Sequence, residues 1–282
     1  MPLDQEDVEN TGRKSGKEMS FLDHLEELRW HIIRGLLAIV VAGIVLYMFQ
    51  DWLFGTVIFG PTHDNFITYQ VLCGVSKTFG MGTNMCIGPP DFQIIAIGFG
   101  ETFITSIKVC FLSGLVVAFP YIFYEIWSFI SPGLHEKERA ASRGAVLICS
   151  SLFILGVLFG YFIVSPFGVR WLGGYTLPGV ENQPTLSSLI NYMVMFTLPS
   201  GLVFEMPVIV YVLSRIGLVT PQGMRKYRRH AILGTLIVAG ILTPPDAVTQ
   251  FLVGIPMFLL YEVSILISKR VQKQLALKEA EG

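Results

Sequence analysis

Carboxylates in unusual places are the residues of this chain with the most chemistry in them. The first group lies in Phe21-Leu22-Asp23-His24-Leu25-Glu26-Glu27-Leu28-Arg29. Ser20 can cap a helix there, with Asp23 three residues on as the acidic partner of a capping box. Phe21, Leu22, Leu25 and Leu28 follow helical spacing, and Asp23, Glu26 and Glu27 fall mostly off that stripe. The pattern predicts a short helix lying on a membrane surface with its carboxylates toward water. Surface-lying helices usually present Lys and Arg to anionic lipid instead. Either the acidic side is only a solvated face, or it receives a cationic ligand. A second group follows in Phe129-Ile130-Ser131-Pro132-Gly133-Leu134-His135-Glu136-Lys137-Glu138-Arg139. Two acidic patches on one side of a membrane suit a ligand with two guanidinium groups, because a carboxylate pairs with Arg through a planar fork that Lys does not reproduce.

Glu205, in Phe204-Glu205-Met206-Pro207, stands inside a long apolar run. A charge near the bilayer centre costs about 2.5–3.5 kcal/mol on insertion scales. The carboxyl is therefore protonated and satisfied by a hydroxyl, or it faces a polar groove and meets a partner helix or a passing substrate. Pro199 and Pro207 flank it; each removes a backbone donor and bends its helix. A carboxyl on the inner curve of a bent helix makes a half-wet concavity.

These residues need a membrane to position them. The 282 residues are 52% hydrophobic and 15% charged, with a mean hydropathy of +0.59; a soluble domain carries about 25% charge. The expected class is an all-α integral membrane protein with six transmembrane helices. The first 30 residues are polar, without the short apolar core and small-residue site of a cleavable signal peptide. Residues 1–19 read as a disordered cytoplasmic tail, 20–270 as the membrane domain, and 271–282 as a frayed cytoplasmic tail. Spans are expected at about 32–49, 103–127, 145–164, 189–213, 231–242 and 248–267. Between the first two, residues 50–101 read as an exposed loop with a short buried or interfacial piece at 94–99. The fifth run has only 12 residues and would rise about 18 Å. The last hairpin, turning at Thr243-Pro244-Pro245-Asp246, is accordingly short. Pro120 bends the second span as Pro199 and Pro207 bend the fourth, and the kinked helices together form a concave face.

Basic residues set the orientation. With the N-terminus inside, 17 of the 20 Lys and Arg fall on the cytoplasmic side, leaving Lys77, Lys108 and Arg170 outside. Both termini are then cytoplasmic. Gly156 and Gly160 form a small-xxx-small pair that lets two helices approach closely. Glu262, toward the inner end of the sixth span, reads as a structural ion-pair partner. Cys110 and Cys149 lie in spans as small packing residues. Cys73 and Cys86 lie in the outer loop, where a disulfide can persist; two free thiols are the alternative.

Enzyme signatures are missing. There is no Gly-x-Ser-x-Gly and no phosphate-cradling loop, and His135-Glu136 lacks the second His of a zinc protease. The chain is expected to be no enzyme, with no metal, no cofactor and no nucleic-acid partner.

Taken in order, several motifs resemble the TatC family, the multi-spanning receptor of the twin-arginine protein translocase. They are His24-Leu25-Glu26-Glu27-Leu28-Arg29 with Pro61 after the first span, Phe129-Ile130-Ser131-Pro132-Gly133-Leu134 followed by Glu138-Arg139, Phe204-Glu205-Met206-Pro207, Leu242-Thr243-Pro244-Pro245-Asp246, and Gln250. The likeness covers about 20–270. It implies a receptor in a bacterial inner membrane for folded precursors bearing a twin-arginine signal peptide. It also implies recruitment of single-span TatA- and TatB-type partners, homo-oligomers within the complex, and transport driven by the proton-motive force. By motif, Glu27 and Glu138 would take the two arginines, with Arg29 and Phe129 shaping the site. Glu205 would face a partner helix or the signal peptide, and Thr243 and Gln250 would belong to the partner-helix surface. The first outer loop, about 62–93, is longer than the family pattern. The rival reading is an ion-coupled secondary transporter with Glu205 as proton relay.

Overall fold

The computed structural model describes residues 21–78, 80, 86, 88–89, 92–130, 142–180, 182–243 and 247–281. Among these the fold is built of helices, with one isolated parallel bridge, Ile95 to Thr185. Ten helices carry it: α1 (Phe21–Met48), α2 (Ile67–Thr78), α3 (Glu101–Ile130), α4 (Ser142–Phe159), α5 (Ser165–Gly174), α6 (Leu186–Phe204), α7 (Met206–Arg215), α8 (Pro221–Lys226), α9 (Arg228–Leu242) and α10 (Ala247–Glu281). A π turn, Gly160–Val164, joins α4 to α5 without a break.

Five stretches among the described residues are long and apolar enough to cross a membrane: His24–Met48, Glu101–Phe129, Gly144–Gly174, Leu186–Arg215 and Thr249–Leu277. Their outward faces are themselves apolar. On α1, Ile32, Leu36, Leu37, Val40, Val41 and Ile44 are all exposed, which in water would be untenable and in lipid is the stable arrangement. The 15-residue α9 falls below the length that crosses a bilayer.

Three expectations change. The acidic stretch at the N-terminus is no separate surface-lying helix. It is the first turns of α1, continuous with the first span, because nothing between Arg29 and Ile32 breaks a helix. The first part of the loop after the first span, residues 50–78, is largely helical. It contains a turn at Gln50–Trp52, a π segment Leu53–Ile58, a 3-10 turn Gly60–Thr62, and α2. The end of the chain is not frayed but continues α10 to Glu281, as its Gln, Leu, Lys and Glu favour. Residues 1–19, Ser20 and the Pro244-Pro245-Asp246 turn lie outside the described residues.

Close backbone contact holds the bundle at two seams. Gly114 of α3 meets Gly43 and Ile39 of α1, so that a Cβ at Gly114 would lie 2.8 Å from the Gly43 nitrogen. Gly156 and Gly160 sit against α6, where added Cβ atoms would fall 2.6 Å from the Ser200 and Phe196 carbonyl oxygens. Those obstacles are backbone and do not rotate away. A Gly156→Val chain is therefore expected to lose about 1–3 kcal/mol of stability, read as earlier thermal unfolding in detergent; an unchanged melting curve would refute the close packing.

Candidate functional site at the N-terminal end of α1

Along α1, His24, Glu27, His31 and Arg34 recur at three- and four-residue intervals and so share one face. On α3, Tyr121, Glu125 and Phe129 do the same. The two helices pack along their length, and these faces meet. The His24 ring stacks on Phe129 with centroids 4.4 Å apart, and the His31 ring meets it edge-on at 5.9 Å. His31 Nδ1 lies 2.5 Å from Glu125 Oε2. Arg34 stands 3.9 Å from the same oxygen, and the Tyr121 hydroxyl donates to this carboxylate too. Glu125 is thus buried, at 5% exposure, with three partners around it.

Glu27 sits half-buried between the two histidines that hold Phe129. It makes no ion pair among the described residues. Arg29, two residues on, lies exposed on the opposite side of α1. Of the residues singled out from sequence, the structure brings Glu27 and Phe129 onto one face and leaves Arg29 off it. Glu138 and Arg139 lie outside the described residues, in the segment that follows α3. The sequence pattern does not single out His24, His31, Tyr121 and Glu125 as site residues; their helical spacing, seven residues on α1 and four on α3, is the signal that points to them.

Glu205 occupies the one-residue break between α6 and α7. Pro207 lacks the N–H that would continue the ladder, and the Glu205 and Val208 amides turn to carbonyls three residues back. The carboxyl is 7% exposed and lies against the Cys149 thiol and the Phe153 backbone amide of α4. A thiol is a weak donor, and neither carboxyl oxygen has a well-formed hydrogen bond. Thr243 and Gln250 both fasten α9: the Thr243 hydroxyl donates to Ala239 O at 2.9 Å and Gln250 Nε2 to Leu236 O at 3.1 Å. Glu262 pairs with Arg228 at 2.5 Å.

The opposite end of the bundle is tied by covalent and polar links. Cys73 and Cys86 form a disulfide, and Arg170 donates to the Gly88 carbonyl. Glu101 accepts from the Ile97 and Gly98 amides through one oxygen and from the Ser187 amide and hydroxyl through the other, joining the start of α3 to the start of α6. An apolar cavity of about 790 Å³ opens between α3, the α4–α5 segment and α6, lined in part by Leu112, Val116, Tyr161, Met193 and Val194. Removing the Glu101 carboxylate leaves two loop amides and the first turn of α6 without an acceptor. Glu101→Ala is expected to make the 95–101 segment exchange amide hydrogens faster than wild type; unchanged exchange there would discount the clasp.

The family model described as "TatC: Sec-independent protein translocase protein (TatC)" matches residues 23–256. The chain belongs to the TatC family. It is 37% identical over 262 residues to a Sec-independent protein translocase protein TatC of Blattabacterium sp. subsp. Periplaneta americana, covering 91% of this chain and 97% of the relative. It is 30% identical to the Bacillus subtilis protein TatCy, with 93% of each chain covered. A crystal structure described as twin arginine translocase receptor TatC in DDM superposes with a TM-score of 0.66 at 29% identity, over 87% of this chain and 99% of that one. This is accordingly an integral membrane protein of the Sec-independent translocase, a transport component and not an enzyme. Membership replaces the alternative of a stand-alone solute transporter.

Proposed function

We propose that this chain is the signal-peptide receptor of a twin-arginine translocase in a bacterial inner membrane, with six spans and both termini in the cytoplasm. Glu27 and Glu138 take the two consecutive arginines of a folded precursor's signal peptide. Phe129 and Arg29 shape that site. Single-span TatA- and TatB-type partners are then recruited on the surface around Glu205 and the α9–α10 hairpin. Further copies of the chain join the complex, and the proton-motive force drives transfer.

The observation that carries this reading is the seating of Glu27. It stands half-buried on the α1 face that grips Phe129, at the end of α3 from which the segment bearing Glu138 departs. An arginine fork would find there one carboxylate and an aromatic edge. Exposed ion pairs contribute about 0.2–1 kcal/mol each, whereas micromolar binding needs about 8 kcal/mol. The apolar part of the signal peptide must supply most of the affinity by lying along the concave face, and the acidic pair supplies discrimination.

The test is binding of a fluorescent signal peptide to the purified chain in nanodiscs. The twin-arginine peptide is expected to bind at least about tenfold more tightly than its twin-lysine counterpart. Equal binding of the two would overturn the role of the carboxylates. Retention of single-span amphipathic partners on gentle purification is the companion result; a chain that purifies alone from its own membranes would count against recruitment.

A further inference from the structure

Glu27 shares its helix face with a group that would compete for it. His31 lies one turn along, the i+4 position from which an N–H donor reaches a Glu carboxylate. Arg34 lies a further turn on. His31, left to itself, would bridge to Glu27 and occupy the acceptor that an incoming guanidinium needs, whereas Arg34, seven residues from Glu27, is beyond that i+4 reach. The structure instead turns both toward α3: His31 Nδ1 is 2.5 Å from Glu125 Oε2 and Arg34 is 3.9 Å from it. Glu125 is 5% exposed and also accepts from Tyr121, so it is held in place on its own helix. His24, the remaining ionisable group on this α1 face, is engaged by stacking on Phe129. Every basic group flanking Glu27 on that face is thus drawn elsewhere, and Glu27 makes no ion pair among the described residues.

We infer that Glu125 is a positioning residue for precursor recognition: it withdraws His31 from Glu27 and so keeps the Glu27 carboxylate free for the guanidinium of a ligand. The inference rests on the reading of Glu27 as a receptor carboxylate. Glu125 need not touch the ligand. It acts by giving the rival donor, His31, a better acceptor, one buried and already oriented, where a hydrogen bond to a carboxylate is worth more than at the water edge.

The experiment uses the full chain in nanodiscs and a fluorescent twin-arginine peptide, with Glu125→Gln, Glu125→Asp, His31→Gln, the Glu125→Gln/His31→Gln pair, and Glu27→Ala. Glu125→Gln is expected to bind about fivefold more weakly, as His31 turns to Glu27. Adding His31→Gln removes that rival and should return affinity to within about twofold of wild type. Glu125→Asp, which keeps the charge, should stay near wild type, as should His31→Gln alone. A role in packing alone predicts the reverse, because the second substitution then compounds the first. Unchanged binding in Glu125→Gln, or a double variant as weak as the single, overturns the inference. Should Glu125→Gln not fold, a loss of binding in His31→Gln alone overturns it equally. If Glu27→Ala binds like wild type, the receptor reading itself falls, a result separate from the other outcomes.

Discussion

Glu27→Ala is expected to weaken binding of a twin-arginine peptide by at least about tenfold while leaving the fold intact. A tenfold change is 1.4 kcal/mol, at the lower edge of the values for hydrogen bonds to charged groups, about 1.5–3 kcal/mol, and above the roughly 0.2–1 kcal/mol of an exposed ion pair. The larger figure applies because Glu27 is half-buried, with one side of its site closed by the His24–Phe129 stack. Its removal does not disturb the helix, since alanine is the best helix former and no ion pair of the described residues is broken. Fluorescence anisotropy in nanodiscs measures the loss, and circular dichroism checks the helix content. Phe129→Ala should weaken binding as well, through loss of the aromatic wall on which His24 stacks. Binding unchanged in Glu27→Ala would move recognition away from the N-terminal end of α1.

Much of this arrangement can be read along the chain, and what cannot is instructive. The apolar runs mark the long helices because lipid imposes length and composition together. The break at Glu205 is visible in Pro207, whose missing N–H forces the turn. The continuity of α1 was also open to reading, since Phe21, Leu25 and Leu28 keep one helical register into the span with no Gly or Pro between. α2 was hidden by its mixture of polar and apolar residues. Ile67, Val71 and Val75 make a four-residue stripe that is exposed, while Tyr69 turns inward to donate to the Pro61 carbonyl at 2.9 Å, so no clean apolar face appears. The pairing of His31 with Glu125 spans 94 residues, and only the packing of α1 on α3 brings it about. Local spacing places each residue on a helix face; it does not say which faces meet.

Glu205→Leu is expected to raise stability and abolish transport, two effects of opposite sign from one side chain. The carboxyl is 7% exposed and without a well-formed hydrogen bond. A buried polar group left unsatisfied costs about 1–3 kcal/mol, and leucine removes that group while filling similar volume against Cys149 and Phe153. The variant should therefore unfold at a higher temperature in detergent, by an amount corresponding to about 1–3 kcal/mol. A protein does not keep a costly carboxyl inside a span without a use for it. In the proposed reading that use is a polar contact with a partner helix or signal peptide during transfer. Export of a folded twin-arginine precursor, measured in cells relying on this chain alone for the pathway, should then fall to background. Peptide capture at Glu27 should be preserved, because the two sites lie on different helices. Wild-type export by a stabilised Glu205→Leu chain would make the carboxyl dispensable. A destabilised variant would instead mean that Glu205 is satisfied in the resting bundle, with the Cys149 thiol and the Phe153 amide as its partners.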